Sequence, residues 1–340
     1  WTSNILYVYS TSNPNTTYTN PGIEASVRTN IIIVNNRNNI ILQNITIKYS
    51  KISTTGSIYI NNSTNITIDS VIVNDNDGFA GIYIEGTGNN CVIKNSIIYN
   101  TIHTTSDRGV GILIDGSGGY HTVQNSEIYS NTGAGISSGL YTVSNNGIIS
   151  GNRSYLNGGA GIEVKGSDSA QPNNWIIQNN EVYSNIQLLA DFYGIDLYKI
   201  GNNNTVRYNL VHDGNFVSIS AGGIRFDGGS EAMPHPTIGY GNKIYYNIIY
   251  NEYTGISIYR TPLGCEIYNN VIYNSTNHGV RIADEYTNLV SFKNNIIHTA
   301  QVCLIYHTLT TNPDIDYNDY YDIDYTNKFH WNGLTYSTFS

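Results

Sequence analysis

The chain has 340 residues, with 16 Lys and Arg against 25 Asp and Glu for a net charge of −9, and only 12% of it is charged. Asn, Thr, Ser, Gly and 30 Tyr stand in place of the usual helix formers, and 40% of the residues are hydrophobic; this excludes a helical bundle and a disordered chain alike. An acidic sequence without Lys/Arg clusters does not suit phosphate backbones, and the longest apolar run, Ile31 to Val34, is far too short to cross a membrane, so nucleic acid and membrane insertion are both excluded.

In chain order, residues 1–29, including "ILYVYSTSNP", read as a lead-in strand and cap. No leader sequence is visible. Because the chain opens with Trp1 rather than Met, it reads as a processed or excised piece of a longer protein. From residue 30 short alternating segments begin, "NIIIVNN", "NIILQNITI" and "SIYINNSTNITIDSVIV", and a phrase Gly-Ile-x-apolar then recurs. Its copies start at Gly81, Gly111, Gly135, Gly161, Gly194, Gly223, Gly255 and Gly279, spaced by 30, 24, 26, 33, 29, 32 and 24 residues. A second phrase sits between them, as in "CVIKNSIIYN" from Cys91 and "WIIQNNEVYSN" from Trp175. Each unit therefore holds two or three strands of about four residues, too short to bury a face alone but able to stack coil upon coil around one apolar core. A propeller, the rival fold, needs a longer period of about 40 residues or more per blade.

Asn suits the corners because it tolerates left-handed backbone. Aligning the phrases predicts an asparagine ladder of Asn44, Asp69, Asn95, Asn125, Asn152, Asn179, Asn269 and Asn294, interrupted by Tyr208 and Tyr246. Tyr99, Tyr129, Tyr183, Tyr250 and Tyr273 predict a stacked aromatic ladder, one ring per coil. The three cysteines make no disulfide framework. Cys91 and Cys265 hold the same repeat position about 29 Å apart, too far for a bridge, and read as small buried hydrophobes.

The repeat phrases resemble those of the right-handed parallel β-helix proteins of the pectin-lyase-like superfamily, over roughly residues 30 to 305. The resemblance implies an all-β, single-domain, right-handed parallel β-helix of about eleven coils; residues 306–340 lose the repeat and read as a cap on the far end. An edge left uncapped invites end-to-end or homo-oligomeric association. The resemblance also implies an extracellular or cell-surface location and a carbohydrate partner.

Within Gly-Ile-x-apolar-x, alternation points the two x positions away from the core. Coil by coil they are Tyr83 and Glu85, Leu113 and Asp115, Ser137, Glu163 and Lys165, Asp196 and Tyr198, Arg225 and Asp227, Ser257 and Tyr259, and Arg281. Eight charged side chains collect on this one face, which is expected to meet water. Glu163, Lys165, Asp196, Arg225 and Asp227 are the candidate catalytic residues. Tyr83, Tyr198, Tyr259, Arg281 and His235 are the candidate substrate-binding residues, since exposed rings stack on sugars. Carboxylates on neighbouring coils suit glycoside hydrolysis. The basic residues suit β-elimination on a uronic-acid polymer, and Asp196, Asp227 and Glu163 offer oxygen ligands for Ca²⁺, the one cofactor considered. The expected function is a secreted polysaccharide-degrading enzyme, a lyase or glycoside hydrolase; the alternative is a non-catalytic adhesin, fibre or structural solenoid. Long interruptions after Gly161 and Gly223 are read as groove walls, with Glu231 and His235, and His212 with Asp213, as further candidates.

Overall fold

A computed structural model describes residues 30–51, 54–104, 108–139, 141–167, 169–185, 193–214, 221–228, 239–260, 264–283, 290–300, 303–307, 314–321, 329–331 and 334–336. Three sheets are built by strands that visit them in fixed rotation. Among the described residues the first sheet has 13 strands, from Ile32–Asn35 to Leu334–Tyr336. The second has 11, from Ile41–Gln43 to Asp314–Asp316, and the third has 11, from Thr46–Lys48 to Asp319–Tyr321. Neighbouring strands are parallel except at the last step, where Leu334–Tyr336 folds back antiparallel on Phe329–Trp331. The chain is the right-handed parallel β-helix that the repeats imply. The parallel sheets continue beyond residue 305, through Asp314–Asp316 and Asp319–Tyr321. The lead-in strand expected over 1–29 lies outside the described residues.

The strand period explains the core. In each Gly-Ile-x-apolar strand the second and fourth residues point inward, so Ile82, Ile112, Ile136, Ile162, Ile195, Ile224 and Ile256 form one fully buried column. Each such side chain contributes about 1.5–3 kcal/mol by leaving water. Cys91 and Cys265 are buried free thiols, as expected of small hydrophobes.

The asparagine ladder exists but is offset from the expected column. Asn44, Asn95, Asn125, Asn179, Asn269 and Asn294 do share one corner, all with positive φ of 50–57°. Asp69 precedes that corner, whose left-handed residue is Ser70, and Asn152 follows it, after Gly151. The hydrogen-bonded ladder is one residue later: Asn152, Asn180, Asn209, Asn247, Asn270, Asn295 and Asn318. Each of the first six donates its backbone N–H to the Oδ1 of the next ladder member, at 2.8–3.0 Å. These amides turn inward and take over the backbone groups that a bend leaves unpaired. Tyr208 and Tyr246 thus interrupt only the outer corner, not the ladder.

A second corner, leading into the first sheet, repeats the device with Asn131, Asn157 and Asn185. Further along, Glu252 takes the same kind of place: it is 1% exposed, accepts the Gly214 amide, and its Oε2 has no hydrogen-bond partner among the described residues. Burial pushes this carboxyl well above the ordinary glutamate range. The fold therefore favours the protonated acid. That contribution to stability is complete below the unfolded-state value of about 4.3 and is lost as pH rises through the folded one. Glu252→Gln is expected to melt above the wild type at pH 8 and level with it near pH 4. A variant that melts lower at pH 8 contradicts this reading.

The aromatic ladder is continuous, with Tyr155 and His212 filling the two coils that the expected series skips. From Tyr99 through Tyr129, Tyr155, Tyr183, His212 and Tyr250 to Tyr273, centroids are 4.7–5.0 Å apart. The spacing is that of the coils, so the rings stack by register rather than by choice of rotamer.

Candidate functional site

The outward columns of the first sheet are in the expected register. Glu163 lies against Asp196, Asp196 against Arg225, Arg225 against Ser257, and Ser257 against Arg281. Lys165, Tyr198, Asp227 and Tyr259 form the parallel column beside them. Eight of the ten candidate residues are therefore brought onto five adjoining coils. Tyr83 is on the same face but three strands before Glu163. His235 and Glu231 lie outside the described residues.

The expectation that this whole face meets water is wrong for the acids of its central coils. Asp196 is 0% exposed, Asp227 1% and Glu163 5%. Tyr83, expected as an exposed ring, is also buried, its hydroxyl 3.4 Å from an Asp115 oxygen. The bases and the other rings are different: Lys165, Tyr198, Arg225, Tyr259 and Arg281 all keep partial exposure.

Three contacts account for the burial. Arg225 grips Asp196 with two bonds, Nε to Oδ1 and Nη2 to Oδ2, both 2.7 Å. Arg260 grips Asp227 in the same way at 3.0 and 2.7 Å. Glu163 accepts from Ser137 Oγ at 2.7 Å, with Lys165 Nζ 3.9 Å from its other oxygen. Such forked pairs hold both members in fixed orientation. Burial raises the Asp196 carboxyl above its ordinary range while Arg225 pulls the other way. Burial opposes the Arg225 charge, but Asp196 outweighs it and holds the guanidinium above its ordinary value. The arginine stays charged.

Tyr193 is the element that sequence reading passes over. It precedes Gly194, and its ring crosses Gly222, where a Cβ would come within 2.8 Å of the ring and 2.3 Å of the Thr254 carbonyl. Its hydroxyl donates to Ser257 Oγ at 3.1 Å, 64 residues away. Burial raises the phenol well above its usual value, so it remains a donor. The Arg225 guanidinium lies over both Tyr193 and Tyr198, 4.9 and 5.0 Å from the ring centroids. Arg281 lies over Tyr259 at 5.1 Å. The only sequence signals for this packing are the "AGG" run that leaves Gly222 bare and the Arg that follows "GISIY".

Among the described residues no three His, Cys, Asp or Glu side chains come together as a metal-binding set. Asp196 and Asp227 each face a guanidinium, so the grouping with Glu163 considered for Ca²⁺ does not assemble there. His212 ends a third-sheet strand and Asp213 is the left-handed residue after it: His212 Nδ1 is 2.8 Å from Asp213 and its ring stacks between Tyr183 and Tyr250. A further charged row on that sheet, Glu127, Arg153 and Glu181, is partly exposed and joined at 3.1 and 2.9 Å.

The family model described as right handed beta helix region matches residues 30–211, just over half of the chain. No curated protein sequence matches it. Among solved structures, the chain is similar to a GH136 lacto-N-biosidase from Eubacterium ramulus, with TM-score 0.56 and 13% identity over 80% of this chain and 51% of that one. It is similar to a variant of the periplasmic alginate epimerase AlgG, with TM-score 0.54 and 13% identity over 83% and 78%. The mannuronan C-5 epimerase AlgE6 A-module of Azotobacter vinelandii is a third, with TM-score 0.53 and 17% identity over 88% and 85%. At these identities the likeness is one of fold, and the chain spans about half the length of the lacto-N-biosidase.

Proposed function

The chain belongs to the right-handed β-helix family, and from that premise we propose that it acts outside the cell on an acidic polysaccharide built of uronic-acid units, as a lyase. One observation carries the reading. On the first-sheet face of the central coils every carboxylate is buried, while the atoms that reach the surface belong to Lys165, Tyr198, Arg225, Tyr259 and Arg281. A chain of net charge −9 thus presents a cationic and aromatic strip. Guanidinium groups pair with carboxylates and rings stack on sugar faces. β-Helices that act on saccharides are among its structural neighbours.

In this reading Arg225 binds the carboxylate of the reacting uronate and draws charge from the ring carbon beside it, and Arg281, two coils further on, binds the carboxylate of a neighbouring unit. Asp196 positions Arg225, leaving Nη1 outside the pair. Lys165 is the base. It takes the proton from C5, the electron pair closes the C4–C5 double bond, and the C4–O glycosidic bond breaks, the leaving oxygen taking its proton from water. Glu163, 3.9 Å from Lys165 Nζ, sets that amine's position. A hydrolase led by Asp196 and Asp227 is less well supported, because both carboxylates are held by two-point pairs. Those pairs favour a second reading, binding without turnover, as in an adhesin.

Lys165→Met is expected to cut turnover of the cleaved polyuronate by about 10²–10⁴-fold while leaving its binding nearly intact. Wild-type turnover in that variant contradicts the assignment of the base. Binding by the wild-type protein without cleavage favours the adhesin.

A further inference from the structure

Upstream of the cationic strip the same face carries an aromatic platform. Tyr141, 62% exposed, stacks on Phe79 with centroids 6.0 Å apart and planes 22° from parallel. The Arg108 guanidinium lies 5.0 Å from the Phe79 centroid, and Tyr83 packs on Phe79 at 5.7 Å. An exposed ring is ordinarily free to swing. Here the backbone beneath it is fixed, because Asp115 Oδ1 accepts the Tyr141 and Thr142 amides at 2.7 and 2.5 Å. Burial raises the Asp115 carboxyl and these two amides oppose the rise. Asp115 is thus an outward residue of the first sheet used to anchor a loop.

The platform is in line with the strip. The column that holds Lys165 passes through Gly139 to Asp115: the Gly139 amide bonds to the Ile114 carbonyl, and a Cβ on Gly139 would fall 1.8 Å from the Lys165 carbonyl. Gly139 leaves that step bare. Two coil rises of about 4.8 Å separate Asp115 from Lys165, the scale of one to two sugar units.

We propose that Tyr141, Phe79 and Arg108 form a sugar-binding subsite upstream of Lys165. Tyr141 offers its ring face to a pyranose and Arg108 its charge to a uronate carboxylate. The proposal extends the function argued above and takes its direction of the polymer along the first sheet from it.

The test is calorimetric titration with oligosaccharides of two to eight units, in a uronate series and a neutral series, against wild type, Tyr141→Ala, Arg108→Gln and Lys165→Met. Tyr141 is exposed, and an unchanged melting temperature will show that its loss leaves the fold intact. Wild-type affinity is expected to step up with length, and Tyr141→Ala to lose about tenfold on the longer oligomers and little on the shortest. Arg108→Gln is expected to lose affinity only in the uronate series. If Tyr141→Ala binds every length as the wild type does, the subsite is wrong while the polyuronate reading stands. If only the neutral series binds, and with a loss in Tyr141→Ala, the subsite stands and the polyuronate reading falls. Absence of binding in both series overturns both.

Discussion

Replacing Asp196 by Ala is expected to lower stability by about 3–5 kcal/mol, read as a fall in the urea midpoint. The reason is the partner left behind. Arg225 is held above its ordinary guanidinium value by this carboxylate, and its side chain is only 14% exposed. Without Asp196 the charge remains and its two 2.7 Å bonds are gone. Water has little access to replace them. Removing both members, as Asp196→Leu with Arg225→Met, is expected to cost far less than Asp196→Ala alone, because no buried charge is left over. A single substitution costing under about 1 kcal/mol, the range of exposed pairs, would mean that the pair is not the buried clamp described above.

Trp175→Ala is the second large effect, expected at about 3–5 kcal/mol. The indole is fully buried inside the solenoid, and its Nε1 donates to the Ser144 carbonyl at 2.9 Å. It fills the space over Gly147 on the preceding coil: a Cβ there would fall 2.2 Å from the ring. The fit is reciprocal, so Gly147→Ala is also expected to destabilise, by about 1–3 kcal/mol through overcrowding. In a Trp175→Ala background the Gly147 change should cost little, since the ring it strikes is gone. Urea melts of the four chains check the cycle, and simple additivity contradicts it.

How much of this was legible beforehand divides along a physical line. Strand alternation and repeat spacing are local properties, and they placed Glu163, Asp196 and Arg225 in one column and Lys165, Tyr198 and Asp227 in the next, in the register observed. Alternation says which side of a sheet a residue takes, but not what covers that side. Tyr193 reaches Ser257 across 64 residues of sequence and Arg260 reaches Asp227 across 33. Neither contact has a local period, so the face was expected open and its acids are buried. The asparagine ladder slipped for a different reason. At Asn179-Asn180, Asn269-Asn270 and Asn294-Asn295 two identical residues are adjacent, one left-handed and outside, the next inward and hydrogen-bonded. Composition cannot rank such twins. Gly151-Asn152 breaks the tie, because only the second member has an amide to offer.

The central functional claim is that the strip over Lys165, Arg225 and Arg281 works on uronate polymers by elimination. The direct measurement is ultraviolet absorbance of a new C=C bond during incubation with polyuronates and neutral polysaccharides, with reducing ends followed in parallel. Absorbance rising together with reducing ends on a polyuronate, and lost in Lys165→Met, is the predicted result. Reducing ends without absorbance, or cleavage confined to neutral polymers, would contradict it.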